Sequence, residues 1–600
     1  MKSSSDWLDR RTGYRQILHE ALFEKIPGGA RWRYVWGSTL LFCFAIQIVT
    51  GLFLWLAYSP SSQTAWESVY YIQHEMWGGW FLRGLHHFTA QAMTVLLLFH
   101  LMQVIIDGAY KAPREVNFWT GVALMLLVLG LSLTGYLLPW DQKGFWATKV
   151  ATSIAAISPV IGPALQKIVV GGSNYGHHTL TRFFAVHAGL IPGAIIAFIV
   201  AHLYLFRRHG VTAKDPKRRP DAAFWPEQVL CDVVACLAVL VVIVFLVVRY
   251  HGAELGAPAD PSEPFSAARP EWYFLFLFEL LKYFPGGTEI WGAIVIPTVL
   301  MLVLVAMPFI GRWRLGHRFN VAFMWTILGG VGLLTYRAIV ADRHNPDYLT
   351  AVAKAKRDAD RAVELANSPP GIPPSGAVTL LREDPLTQGP RLFAKNCASC
   401  HRFDGHDALG GHPKDAIAAS DLKGFGSREW ISGLLDPQQV DGPHYFGGTS
   451  FKDGKMVRFV KNDVASFSPD EKEDLRKVAI AVSAEAQLRS QQAVDARDAE
   501  AIAAGRKLLV DDAIGCAQCH TFHGEGEAVG PDLTGYASRE WLVAFISNSS
   551  HERFYGERND RMPAFGERKS LNEQEIGLLA DWLRGEWYRA PGADGNSASR

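Results

Sequence analysis

Two apolar stretches constrain this chain more than anything else in it. Residues 83–100 read RGLHHFTAQAMTVLLLFH, and residues 182–202 read RFFAVHAGLIPGAIIAFIVAH. Each is long and apolar enough to belong to a helix that crosses a bilayer. Each carries two widely spaced histidines, His86 and His100 in the first, His187 and His202 in the second. At about 100° per residue, the 14 steps of the first pair return to within about 40° of the start, and the 15 steps of the second to within about 60°. Both imidazoles of each helix therefore lie on roughly one face, about 21 to 22 Å apart along the axis. His87 stands about 100° from His86 and reads as a packing or surface residue. Ionisable side chains inside a bilayer are costly and usually functional. If the two helices run side by side in the same direction, the imidazoles pair at two levels, His86 with His187 and His100 with His202. That is the ligand set of two stacked bis-histidine haems.

The chain has 600 residues, too many for one ordinary domain. Its net charge of +1 gives no field for nucleic-acid binding. Seven runs qualify as spans: 33–58, 81–106, 118–139, 183–206, 229–249, 290–310 and 319–341. Basic residues collect in alternate connections: Arg10, Arg11, Arg15, Lys25, Arg31 and Arg33, then Lys111 and Arg114, then Arg207, Arg208, Lys214, Lys217, Arg218 and Arg219, then Arg312, Arg314 and Arg318. The connection 59–80 has neither Lys nor Arg. The positive-inside rule then puts the N-terminus in the cytoplasm and everything after Ala341 outside. In this topology the second and fourth spans are parallel, and the His86 level is the outer one. Gly37 and Gly51 in the first span, and Gly121 and Gly135 in the third, repeat the 14-residue spacing and would let a flat porphyrin edge approach. Residues 7–26 read as one amphipathic helix on the membrane surface; no cleavable signal peptide is evident.

Beyond the spans, 342–387 reads as a linker, with a charged helix at 351–367 and a stiff SPPGIPPSG spacer. Two similar units follow, marked by DLKGFGSREW and DLTGYASREW. Each contains a Cys-x-x-Cys-His motif: Cys397, Cys400 and His401, then Cys516, Cys519 and His520. These are c-type haem attachment signals, with the histidine as proximal iron ligand. No second Cys pair within either unit completes a zinc site. Cys43, Cys231 and Cys236 lie in apolar segments and leave no disulfide framework. For the distal ligand, the second unit offers Met562 in RMPAFG. The first offers Met456, with His412 and His444 as alternatives.

GYLLPWDQKGFWATKV at 135–150, the four histidines and RPEWYFL at 269–275 resemble cytochrome b of the bc-type quinol:cytochrome c reductases. LPWDQ, the 15-residue histidine step and KAPRE at 111–115 are most similar to cytochrome b6 of the b6f complex. Spans five to seven resemble its subunit IV, and the tail resembles a dihaem cytochrome c by motif. The resemblance implies an all-α fold: a transmembrane helical bundle, with a four-helix dihaem core and three further spans, then two small helical cytochrome c-like domains. The expected divisions are 1–32 surface helix, 33–225 dihaem bundle, 226–341 subunit IV-like region, 342–387 linker, 388–490 and 491–592 cytochrome c-like domains, and 593–600 disordered tail.

The resemblance further implies the core subunit of a quinol:cytochrome c oxidoreductase. A quinol site on the outer side would be built from 139–147, including Ala147, and from Pro270, Glu271, Trp272 and Tyr273. Glu271 can take up a quinol proton; as a helix start, PE is also a common local pattern. One electron would go to a Rieske protein, which must be a separate chain because no Cys-x-His pair occurs here, and the other to two b haems. Arg207, with Arg208, could hold a haem propionate or a quinone oxygen; Arg83 joins it as a cofactor-binding residue, and Glu20 in the surface helix could supply a proton. Expected partners are the quinone pool, a downstream cytochrome c, oxidase or reaction centre, membrane lipid and a second copy, in a bacterial cytoplasmic membrane with the c haems outside. The rival reading is a haem-bearing membrane anchor that links a dehydrogenase to quinone without bifurcation; the PEWY and LPWDQ stretches speak against it. One departure stands out. The b6 family carries a third haem, tied to a cysteine at the start of the first span. Here Val35 holds that place in RYVWGS, so the expected inventory is two b and two c haems with no covalent haem in the membrane part.

Overall fold

The computed structural model describes residues 4–213, 220–414, 416–512, 514–559 and 561–591. The predicted basic residues Lys214, Lys217, Arg218 and Arg219, and the predicted disordered tail at 593–600, lie outside them. The chain divides into two compact units, Met1–Val378 and Thr379–Arg600.

In the first unit, among the described residues, seven helices are long and apolar enough to cross a membrane: Trp32–Trp55, Gly79–Ile106, Glu115–Tyr136, His177–His209, Phe224–Tyr250, Trp291–Ile310 and Gly316–Arg343. Each predicted run falls on one of them; we number them first to seventh. The first span packs along the second and the third along the fourth, and the fifth lies against the first two. Cys43, Phe44, Met93, Leu96 and Ile195 form a buried cluster, joined by Leu124, Leu127 and Leu131. All lie midway along their helices, so an apolar layer separates the two histidine levels. In the fourth span a π-helical turn covers Val186–Leu190. Such a turn takes up one extra residue, so the 15-residue step from His187 to His202 matches the 14-residue step from His86 to His100.

One expectation is corrected. The predicted surface helix is two helices, Ser4–Thr12 and Tyr14–Leu22. Gly13 breaks it at φ +64°, a left-handed backbone that glycine adopts without penalty. A short antiparallel pairing of Lys25–Ile26 with Ala222–Ala223 ties this segment to the start of the fifth span. The helix expected at 351–367 is present and runs over Pro346–Ala366. Asn345 caps the helix Pro346–Ala366 by accepting from the Tyr348 amide. Past that helix, the Tyr70 hydroxyl donates to Asn367 Oδ1 at 2.7 Å, and Gly376 lies against the backbone of Gln63. These polar contacts fix the segment to the connection between the first two spans.

The second unit contains six helices that matter for its sites, numbered here α1 Pro385–Asn396, α2 Arg428–Leu434, α3 Pro469–Glu485, α4 Ala499–Val510, α5 Arg539–Ser547 and α6 Glu573–Leu583. α2 and α5 begin identically: Ser427 and Ser538 cap them by accepting from the amides of Trp430 and Trp541. The packing does not follow the two repeats. α1 lies along α6, and α4 along α3.

Candidate functional site

The second and fourth spans bring the four histidines together as two facing pairs. Ring centres of His86 and His187 are 6.3 Å apart, and those of His100 and His202 are 6.5 Å apart. Two metal–imidazole bonds of about 2 Å each, plus the half-width of each ring, fill such a distance. The outward nitrogens support this use. His187 Nδ1 lies 3.2 Å from the Leu131 carbonyl, and His202 Nδ1 lies 3.0 Å from that of Asn117. A carbonyl accepts only, so each Nδ1 carries the hydrogen and Nε2 keeps its lone pair for a metal. His86 Nδ1 is 2.9 Å from the Thr50 hydroxyl. His100 Nδ1 is buried without a partner.

The four glycines face these rings. A Cβ on Gly51 or Gly135 would lie 3.3 or 2.6 Å from Cε1 of His86 or His187, and one on Gly37 or Gly121 would lie 3.5 or 3.2 Å from Cε1 of His100 or His202. Each glycine thus leaves room beside one of the four imidazoles. The residues present fit two bis-histidine haems.

Glu271 lies at the end of the stack where the second span begins. It opens a short helical turn, Trp272–Phe274, but its side chain makes no capping bond. The carboxylate instead accepts from Gln91 Nε2 at 3.1 Å, and its other oxygen lies 3.9 Å from Lys143 Nζ. Trp272 Nε1 donates to Gln91 Oε1 at 2.6 Å, which orients that amide. Tyr273 packs edge-on against Trp272, and half-buried Ala147 lies on the helix Gln142–Ala156. Pro270 follows Arg269, whose guanidinium pairs with Asp342 at 2.8 Å and lies 4.1 Å over the ring of Tyr348. Gln91, Lys143 and Arg269 were not singled out from sequence. Their only signal was position: Gln91 follows His86 by just over a turn, Lys143 follows LPWDQ, and Arg269 precedes PEWY.

Arg83 donates to Gln73 Oε1 and to the carbonyls of Ala253 and Glu254. It fixes a connection at the Glu271 end. Arg207 pairs with Glu24 at 3.1 Å and donates to the Glu20 carbonyl. Both guanidiniums thus have protein partners at the ends of the histidine helices.

In the second unit, His401 Nδ1 meets the Ser420 carbonyl at 2.8 Å and His520 Nδ1 that of Pro531 at 2.9 Å. Burial lowers both imidazoles from their ordinary value, which keeps Nε2 available to a metal. The four motif cysteines are unpaired; burial pushes the Cys397 thiol up to about 12 and that of Cys516 up to about 11. This donor set fits thioether-linked haem. The two methionines pack across the repeats. Met562 packs on the cluster that holds Cys397, not on the one that holds Cys516. Met456 packs beside Leu435 and Phe459, which also surround Cys516. The side chain decides by packing, and sequence order does not. The His444 ring is partly exposed, its Nδ1 3.9 Å from Asp421, whose amide donates to the His444 carbonyl.

Comparison with known proteins agrees with this arrangement. The family model for cytochrome b (N-terminal)/b6/petB matches residues 91–258, that for cytochrome b (C-terminal)/b6/petD matches 258–353, and that for cytochrome c matches 386–476 and again 502–587. The menaquinol:cytochrome c reductase cytochrome b subunit of Geobacillus thermodenitrificans is 38% identical over 215 residues, 34% of this chain and 96% of the relative. Cytochrome b6 of Synechococcus sp. (strain JA-3-3Ab) is 36% identical over 212 residues, 35% of this chain and 99% of the relative. Cytochrome b of Rhodobacter capsulatus is 32% identical over 305 residues, 48% of this chain and 69% of the relative. A solved chain described as hyperthermophilic respiratory Complex III is similar with a TM-score of 0.50 at 28% identity, covering 59% of this chain and 95% of its own.

Proposed function

The chain belongs to the cytochrome b/b6 family, and from that membership we propose that it is the core subunit of a bc-type quinol:cytochrome c reductase in a bacterial cytoplasmic membrane. One observation carries the reading: two stacked levels of facing imidazoles, 6.3 and 6.5 Å between ring centres, with the Glu271 carboxylate held at one end. His86 with His187 and His100 with His202 would hold two b haems, and the two Cys-x-x-Cys-His motifs two c haems. When bound, these groups supply one-electron acceptors which, with a Rieske centre on a separate chain, let the two electrons of a quinol part.

The protein's own residues handle the protons. Gln91 occupies one carboxylate oxygen of Glu271, which leaves the other, on the Lys143 side, to accept the proton of a quinol hydroxyl. Trp272 holds Gln91 in the orientation this needs. Trp272, Tyr273 and Ala147 wall the pocket, and Pro270 fixes the backbone ahead of the carboxylate. Arg269, paired to Asp342, anchors the whole stretch to the end of the seventh span. The basic residues collected at the opposite ends of the spans favour a cytoplasmic N-terminus; in that orientation Glu271 releases its proton outward. The tail then carries electrons onward to a downstream acceptor, and the complex works as a homodimer on the quinone pool. The test is Glu271→Gln in the intact complex. Quinol:cytochrome c reduction should fall while all haem spectra stay unchanged; full turnover at every pH would sink the assignment.

A further inference from the structure

The two repeats of the second unit exchange their halves. In the first repeat, Gly389 on α1 packs against Trp582 of α6, the last helix of the second repeat. Phe393 and Phe403, on either side of the first motif, lie 5.6 and 4.4 Å from the Trp582 ring. In the second repeat, Gly505 on α4 lies against Lys477 and Ala481 of α3, the last helix of the first repeat. Each repeat thus contributes its leading helix and motif to one core and its trailing helix to the other. The crossover falls in the matched GFGS and GYAS turns. There Gly426 and Ala537 touch at φ +78° and +60°, and the rings of Phe425 and Tyr536 are 5.4 Å apart. Arg584 pins the turn of the second repeat to the end of the first by donating to the carbonyls of Ala537 and Ala486, at 2.7 and 2.6 Å.

The methionines follow the exchange. Cys397 and Met562 pack on one cluster, built from Phe393 and Ala398 of the first repeat and Ile546, Phe565 and Trp582 of the second. The Met562 backbone is fixed there: its amide donates to Asn559 Oδ1, and its carbonyl accepts from Ser549 and Asn559. Cys516 packs with Trp430, Tyr445 and Val478 of the first repeat, and with Leu435 and Phe459, which also hold Met456.

We propose that each c haem is held by both repeats. The haem on Cys397 and Cys400, with His401, takes Met562 as its sixth ligand, and the haem on Cys516 and Cys519, with His520, takes Met456. A thioether opposite an imidazole is an established ligand pair for haem iron; the new element is that its two members come from different repeats. This rests on the reading that both motifs bind haem.

The experiment separates the two. In the full chain, the double change Cys516→Ser and Cys519→Ser should leave one covalent haem, located at Cys397 and Cys400 by peptide mass. Absence of any covalent haem there overturns the haem reading itself. In that background Met562→Ala should turn the remaining c haem from low-spin to high-spin or water-ligated, and Met456→Ala should leave it unchanged. The reverse pattern, or sensitivity to neither, overturns the exchange. Met562→His guards against a variant that fails to load. It should give a low-spin bis-imidazole signature on the Cys397 haem, and a retained imidazole–thioether signature would overturn the proposal.

Discussion

Gln91 changes what Glu271 means. From sequence, the glutamate was equally a proton acceptor and the opening residue of a helix. In the structure its side chain caps nothing and is oriented by Gln91, itself oriented by Trp272. Proton transfer by a placed side chain contributes about a hundredfold or more, so Glu271→Gln should lower turnover by about that factor. Gln91→Leu removes one partner from both the carboxylate and the indole but leaves the acid in place. A smaller loss, about tenfold, is expected from the cost of leaving such groups unpaired, with haem content intact. Steady-state quinol oxidation beside reduced-minus-oxidised spectra checks both; equal losses would mean that Glu271 takes up the proton only in the orientation Gln91 gives it. Glu271 was legible because the resemblance carried by RPEWYFL implied a quinol site there, and a carboxylate can take up a proton. Gln91 was not, because helix periodicity says which face a residue is on and not which loop returns to meet it.

At the scale of the helix, the spacing of glycines and histidines was readable because both follow the same period. What the sequence left open was how the extra residue between His187 and His202 is absorbed; the π-helical turn at Val186–Leu190 does it locally, without turning the inner histidine away. The glycine contacts are graded, which makes a sharp test. A Cβ at Gly135 would sit 2.6 Å from the His187 ring, closer than real contacts allow, whereas at Gly37 it would sit 3.5 Å from His100, an ordinary contact. Gly135→Ala should therefore lose or displace the b haem of the His86 level alone, and Gly37→Ala should be tolerated. Redox titration of the two b haems reads this directly. Loss of the His100-level haem from Gly37→Ala as well would show that the haem ring itself, and not only the imidazole, needs the space beside these glycines. In the tail, sequence comparison within the chain located both motifs and both SREW-containing repeats. It could not say which copy's last helix covers which motif, because two similar repeats present the same apolar face to either partner.

At the scale of the whole molecule, the distribution of thiols decides where covalent haem can be. Val35 stands where the b6 family carries its attached cysteine, and it is buried. Trp36 packs beside it, its ring centre 5.0 Å from that of Phe99 on the second span. Cys43 is eight residues on, about 12 Å along the helix axis, and its side chain is fully buried with Phe44, Met93, Leu96 and Ile195. A thiol enclosed in that layer has no path to a porphyrin at the membrane face. Cys231 and Cys236 lie near the start and in the first half of the fifth span. All covalent haem should therefore reside on Cys397, Cys400, Cys516 and Cys519. Replacing these four with Ser in the full chain should abolish haem staining on a denaturing gel. The dithionite-reduced spectrum of the native membranes should still show both b haems, since histidine ligation alone holds them. A stained band from the four-serine chain would place a thioether in the membrane unit, with Cys43 the first residue to replace next, and would require the layer between the two histidine levels to open.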